Sequence, residues 1–158
     1  MIRLVLETPH VIVAAAIAVK TGNPFLAVSL SFFSHFVLDE VPHWNPHITN
    51  QQAEVKTIDS KSLKIIIADS TLALVLGSII AASFLPNVKQ TILVLACCFA
   101  SVLPDLIEAP YIFLNYKKPW MKKILFFQKN HQFNTNVFLG FATQIVVIVA
   151  SILWMTTA

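Results

Sequence analysis

The stretch Ser62-Leu63-Lys64-Ile65-Ile66-Ile67-Ala68-Asp69-Ser70-Thr71-Leu72-Ala73-Leu74-Val75-Leu76-Gly77-Ser78-Ile79-Ile80-Ala81-Ala82-Ser83-Phe84-Leu85, halted by Pro86, decides the fold. Past Lys64 its only charged residue is Asp69. About 20 apolar residues in a helix cross the roughly 30 Å hydrocarbon core of a bilayer. Helix is favoured over strand because the run is long and because membrane-crossing backbone must satisfy its hydrogen bonds internally. Two further runs are of similar length, from about Lys89 to Asn115 and from about Thr135 to Met155.

Upstream lie two shorter apolar segments. Thr8 as N-cap and Pro9 at the first helical position open one that runs from His10 to Lys20. Thr21-Gly22-Asn23-Pro24 then reads as a tight turn, with Asn23 capping a second helix that reaches about Glu40. At 1.5 Å per residue the first spans only about 17 Å, so the pair reads either as a short or re-entrant hairpin or as helices packed inside the bundle. The expected fold is therefore all-α: a polytopic membrane protein of about five apolar helices, forming a single membrane-embedded domain over residues 1–158. Composition agrees. Hydrophobic residues make up 56% of the 158 and charged residues 12%, against about 25% charged in soluble domains. A chain this short cannot bury so much apolar surface in itself.

Glu7, Pro9 and His10 interrupt the N-terminal region before any apolar core, so no secretory signal is expected. Cys97 and Cys98 are adjacent within an apolar run and read as small buried hydrophobes. Trp44, Trp120 and Trp154 fall at expected interfaces, where they serve as anchors. Two polar stretches remain, His43 to Lys61 and Tyr116 to Asn134. Within the second, Pro119-Trp120-Met121-Lys122-Lys123-Ile124-Leu125-Phe126-Phe127 reads as a short basic amphipathic helix on the membrane surface.

Assigning loops alternately to two sides sets the orientation. One side collects Arg3, Lys56, Lys61, Lys64, Lys117, Lys118, Lys122, Lys123 and Lys129, nine in all, and the other has Lys20 and Lys89. The positive-inside rule places the richer side, with the N-terminus, in the cytoplasm of a multi-pass protein of the cell inner (plasma) membrane. On that map His10, His35, Asp39, His43, Asp69, Asp105, Glu108 and His131 all fall toward the cytoplasmic side. The count used only Lys and Arg, so this convergence is independent of it.

These residue types suit metal chemistry. His35 and Asp39 are spaced i, i+4 and share a helix face; they read either as ligands of zinc or another divalent ion, or as a hydrogen-bonded pair that locks helices. Asp69 is costly within a membrane unless paired. Asp105 and Glu108, spaced i, i+3 after Pro104, would repel in lipid unless they share a proton, meet a lysine or bind a cation. His10 and His131 flank the same face, and His47 is expected to be solvated. The expected metal ligands are His10, His35, Asp39, Asp69, Asp105 and His131, with Glu108 or His43 as general acid or base. So many ligands exceed what one tetrahedral zinc takes and suit a site of two divalent ions with some supporting acids, which can ionise a water and clamp a phosphate. No G-x-S-x-G or H-E-x-x-H motif is present.

Thr8-Pro9-His10, Ser34-His35-Phe36-Val37-Leu38-Asp39-Glu40-Val41-Pro42-His43-Trp44 and Leu103-Pro104-Asp105 together resemble a family of small bacterial membrane-bound metal-dependent hydrolases, itself reminiscent of zinc-dependent phospholipases C. The resemblance implies a metal-dependent phosphoesterase-like activity. The chain departs from the commoner family pattern in having no H-R-x-x-T-H-S segment; Asn130-His131-Gln132 stands in that general role. The expected function is a metal-dependent hydrolase of a phosphoester such as a lipid phosphate, with the bilayer as partner and no nucleic acid. The alternatives are a metal or proton transporter, and a structural membrane protein whose polar cluster only fixes packing.

Overall fold

The computed structural model describes residues 6–46, 59–114, 116 and 118–157. His47, and Arg3, Lys56 and Lys117 of the basic residues counted above, lie outside the described residues. The described residues form six helices: α1 (Glu7–Lys20), α2 (Pro24–Asp39), α3 (Ser60–Ala82), α4 (Val88–Phe113), α5 (Pro119–Asn130) and α6 (Val137–Thr156). Among the described residues there is no strand, only a single bridge between His43 and Asn134.

Among the described residues three helices are long and apolar enough to cross a membrane: α3, α4 and α6, with mean hydropathies of 2.2, 2.0 and 2.3 over their most apolar stretches. At 1.5 Å per residue they are about 35, 39 and 30 Å long. Their outer faces expose large apolar side chains, among them Leu74 at 71%, Val146 at 65% and Phe138 at 85%. Apolar surface on that scale calls for a lipid solvent, so the chain is an all-helical, multi-pass membrane protein. The expectation of about five apolar helices narrows to these three of spanning length; α1 and α2 have 14 and 16 residues.

The short α1 sits in the middle of the bundle. It packs against α2, α3, α4 and α6, and ten of its residues, from Thr8 to Ala18, are buried. A helix apolar on every side is a core helix. Ala14, Ala15, Ala16 and Ala18 leave room for neighbouring backbones to approach. Gly77 on α3 completes the fit, since a Cβ there would stand 3.0 Å from Val11 Cγ1. Cys97 and Cys98 are buried free thiols in the same core, as expected.

Helix starts follow local chemistry, four through a side-chain cap and α5 through Pro119 in its first turn, with one exception. Asn23, Asp59, Asn87 and Asn136 each accept a bond from a first-turn N–H of the helix that follows. Donation from the Ser62 N–H and hydroxyl holds the Asp59 carboxyl below its usual range. The exception is α1. Thr8 was expected to cap it, but the helix starts earlier, at Glu7, and Leu6 offers no side-chain cap. The missing acceptor comes from another helix: Asp69 on α3 takes the Glu7 N–H and, at 3.3 Å, the Thr8 N–H.

The two ends of the bundle differ. At one, Lys20 donates to the Thr157 carbonyl and Gln90 Nε2 donates to the Ala18 carbonyl at 3.0 Å. At the other, the segment before α6 is laced to the end of α2: Phe133 N–H to Asp39 O at 2.8 Å, His43 N–H to Phe133 O at 3.1 Å, and Thr135 N–H to His43 O at 2.9 Å. The histidines and acids gather at this second end.

Candidate functional site

α1, α2 and α4 each bring polar side chains to one buried point. His10, His35, Asp39 and Asp105 are at most 5% exposed. The imidazoles of His10 and His35 lie with centroids 4.5 Å apart. Asp39 faces both: its Oδ1 is 3.8 Å from His10 Nε2 and its Oδ2 is 3.7 Å from His35 Nε2. Asp105 arrives from α4 with Oδ1 3.5 Å from His35 Nε2. The i, i+4 placement of His35 and Asp39 on α2 thus points both at the same spot, as the sequence predicted.

His35 has a defined role for each nitrogen. Its Nδ1 lies 2.8 Å from the Ser101 carbonyl, an acceptor only, so Nδ1 carries the proton. Its Nε2 faces the two acids. Ser101 sits one turn before Asp105, so a single stretch of α4 supplies both the carbonyl that orients the ring and the carboxylate that faces it.

The sequence reading missed Gln128. It is 1% exposed, and its Nε2 lies 3.0 Å from both His35 Nε2 and Asp105 Oδ1. α5 therefore lies across the cluster as a roof and supplies one of its members. The signal was present: Met121, Leu125 and Gln128 are spaced i, i+4, i+7, and all three form the buried face of α5.

Several polar atoms in this region are buried without a hydrogen bond: both carboxylate oxygens of Asp39, Asp105 Oδ2, Glu108 Oε1, Glu7 Oε2, Gln128 Oε1 and His10 Nδ1. Every ion pair that the described acids make has a histidine partner. Beside His10 lies a cavity of about 20 Å³, lined by Pro9, Leu38, Val41, His43, Gln144 and Val147, which has room for one water.

Of the residues singled out in the sequence, His10, His35, Asp39 and Asp105 are brought together. Glu108 is buried one turn beyond Asp105. His43 is buried beside the cavity, its Nδ1 2.7 Å from the Val41 carbonyl. Asp69 is engaged with the start of α1. His131 is not brought in: it is exposed, follows the last turn of α5, and holds the Phe127 carbonyl through Nδ1 at 2.8 Å. Among the described residues no three His, Cys, Asp or Glu side chains already stand as a set that could hold a metal ion. The amide of Gln128 occupies the space between His35 and Asp105.

No family model, curated protein or solved structure matches the chain.

Proposed function

We propose that this protein is a membrane-embedded, metal-dependent hydrolase of a phosphoester, such as a lipid phosphate, at the cytoplasmic face of the cell inner membrane. The carrying observation is the buried set His10, His35, Asp39 and Asp105, in which both oxygens of Asp39 and one of Asp105 lack hydrogen bonds. Buried carboxylates are costly unless they are paired or bind a metal, and no lysine or arginine among the described residues pairs with these. Imidazole nitrogen and carboxylate oxygen together suit zinc and several other divalent ions. The nitrogen–oxygen separations of 3.5–3.8 Å bring these groups together in pairs, and the Gln128 amide would have to move aside for three of them to face one ion. His35 also has the outer support typical of a ligating histidine, with Nδ1–H held by a backbone carbonyl.

In this reading His10, His35, Asp39 and Asp105 hold the ion, and Asp69 and His131 have no part in it. A bound divalent ion supplies a water of lowered pKa and neutralises phosphate oxygens. Glu108 takes or gives the proton, with His43 as the second candidate. The apolar α1–α2 pair enters and leaves from the cytoplasmic side as a short hairpin. Metal analysis of the purified protein, together with turnover of lipid phosphates, phosphodiesters and nucleotides with zinc supplied, tests the reading. Stoichiometric metal that is lost in His35→Ala and Asp39→Ala, and turnover abolished in Asp105→Asn, are the expected results. Metal-free protein of unchanged heat stability in chelator, with no turnover on any substrate, would sink it.

A second reading has an observation of its own. Gln128 already ties His35 to Asp105 through its amide, as a cluster that only fixes helix packing would require. The same metal measurement separates the two.

A further inference from the structure

α5 buries one face and leaves an outer face that suits neither hydrocarbon nor water. Trp120, Phe126 and Phe127 are 53%, 49% and 51% exposed, and Phe133 just beyond is 55% exposed. Among these aromatics stand Lys122, Lys123 and Lys129, and the helix has no acidic residue. Lys122 and Lys129 are spaced i, i+7, and each Nζ lies 5.7 Å from the centroid of the Phe126 ring. The ring's quadrupole attracts both ammonium groups, so two positive charges two turns apart flank one exposed aromatic ring. An anion docked over that ring has a cation on either side of it.

Position narrows the choice of anion. α5 packs on α4, and it joins the end of that long apolar helix to the start of α6. It therefore lies at the edge of the lipid-facing belt, at headgroup depth. Exposed aromatics mixed with lysines are the pattern of a helix lying in the membrane interface.

We propose that α5 is a clamp for anionic phospholipid headgroups: Lys122 and Lys129 bracket a lipid phosphate, and Trp120, Phe126 and Phe127 settle at the boundary with the acyl chains. Because the inner face of the same helix carries Gln128 to His35 and Asp105, the seated helix holds the roof of the buried cluster in place. The lipid here is a docking surface, and the inference does not depend on hydrolase activity.

The full-length protein in nanodiscs provides the test. Amide hydrogen exchange across residues 119–130 is compared in phosphatidylcholine alone and in phosphatidylcholine mixed with phosphatidylglycerol. Anionic lipid should slow exchange roughly thirtyfold, equivalent to about one kcal/mol for each of two lysines near the surface. High salt should shrink the effect. Lys122→Gln with Lys129→Gln should remove it while matching wild type in the neutral discs. Metal content, measured on the same samples, separates this outcome from the fate of the hydrolase reading. Equal exchange in the two lipids overturns the proposal. So does slowing that persists in the double variant, and so does equal protection by free inorganic phosphate in neutral discs.

Discussion

Gly140 of α6 runs so close to Trp44 that a Cβ on the glycine would stand 2.3 Å from the Trp44 backbone nitrogen. The loop that follows α2 is wedged against the first turn of α6, and Thr143 one turn on donates to the Pro42 carbonyl. This contact fixes the backbone on either side of His43.

Gly140→Ala should therefore destabilise the protein by about 2 kcal/mol or more, because overpacking costs about 1–3 kcal/mol and the obstacle here is backbone. Gly22→Ala is the matched control, since nothing lies within 4 Å of a Cβ at that position. Thermal unfolding in detergent should show a lowered midpoint for the first variant and almost none for the second. Equal midpoints would show that the loop yields freely.

Asp69→Ala should lower stability by about 1–2 kcal/mol, the usual cost of a lost helix cap, because α1 has no side-chain cap of its own. Metal content should be unchanged. A variant that loses metal while keeping its unfolding midpoint would restore Asp69 to the ligand set that the sequence suggested.

Gln128→Leu keeps the bulk of the side chain but strips His35 Nε2 and Asp105 Oδ1 of their shared amide. In chelator the variant should be about 1–3 kcal/mol less stable than wild type, the cost of orphaned buried polar groups. If the cluster binds a divalent ion, saturating zinc should close most of that gap. A gap indifferent to zinc would assign Gln128, and the cluster with it, to packing alone.

The proposed orientation rests on the nine-to-two distribution of basic residues. Reporter fusions at the N-terminus and within the loop after α4 should be active in the cytoplasm, and a fusion at the C-terminus should be active outside. A C-terminal fusion active only in the cytoplasm would reverse the assignment.

The long helices and their polar end were legible because both are local matters. Apolar run length gives α3, α4 and α6, and Asn23-Pro24 announces α2 from chemistry within one turn. His35 and Asp39 share a face by spacing alone. What stayed hidden needed tertiary knowledge. Hydropathy marks α1 as apolar without saying whether lipid or protein surrounds it, and a 14-residue helix enclosed by four others reads the same as a short hairpin. Asp69 looked like a buried ligand because nothing in the sequence says that α3 ends its approach at the N-terminus of α1. Gln128 is uncharged, so neither charge nor metal-ligand chemistry marks it in the sequence; only its place on the buried stripe of α5 does. His131 stands three residues beyond Gln128, past the last turn of α5, where it is exposed.

The enclosure of α1 sets a problem of biogenesis. Of the six helices it is made first, yet it occupies the position that the others define, and one of its walls, α6, is made last. On leaving the translocon its alanine-rich faces meet no partner except α2, so the opening hairpin has to be held in the membrane through the synthesis of some hundred residues (about the whole interval from α2 to α6) before the centre can close. Assembly is thus completed after insertion rather than during it. Until α6 is in place, one wall of α1 and the Gln144 and Val147 side of the cavity beside His10 are missing.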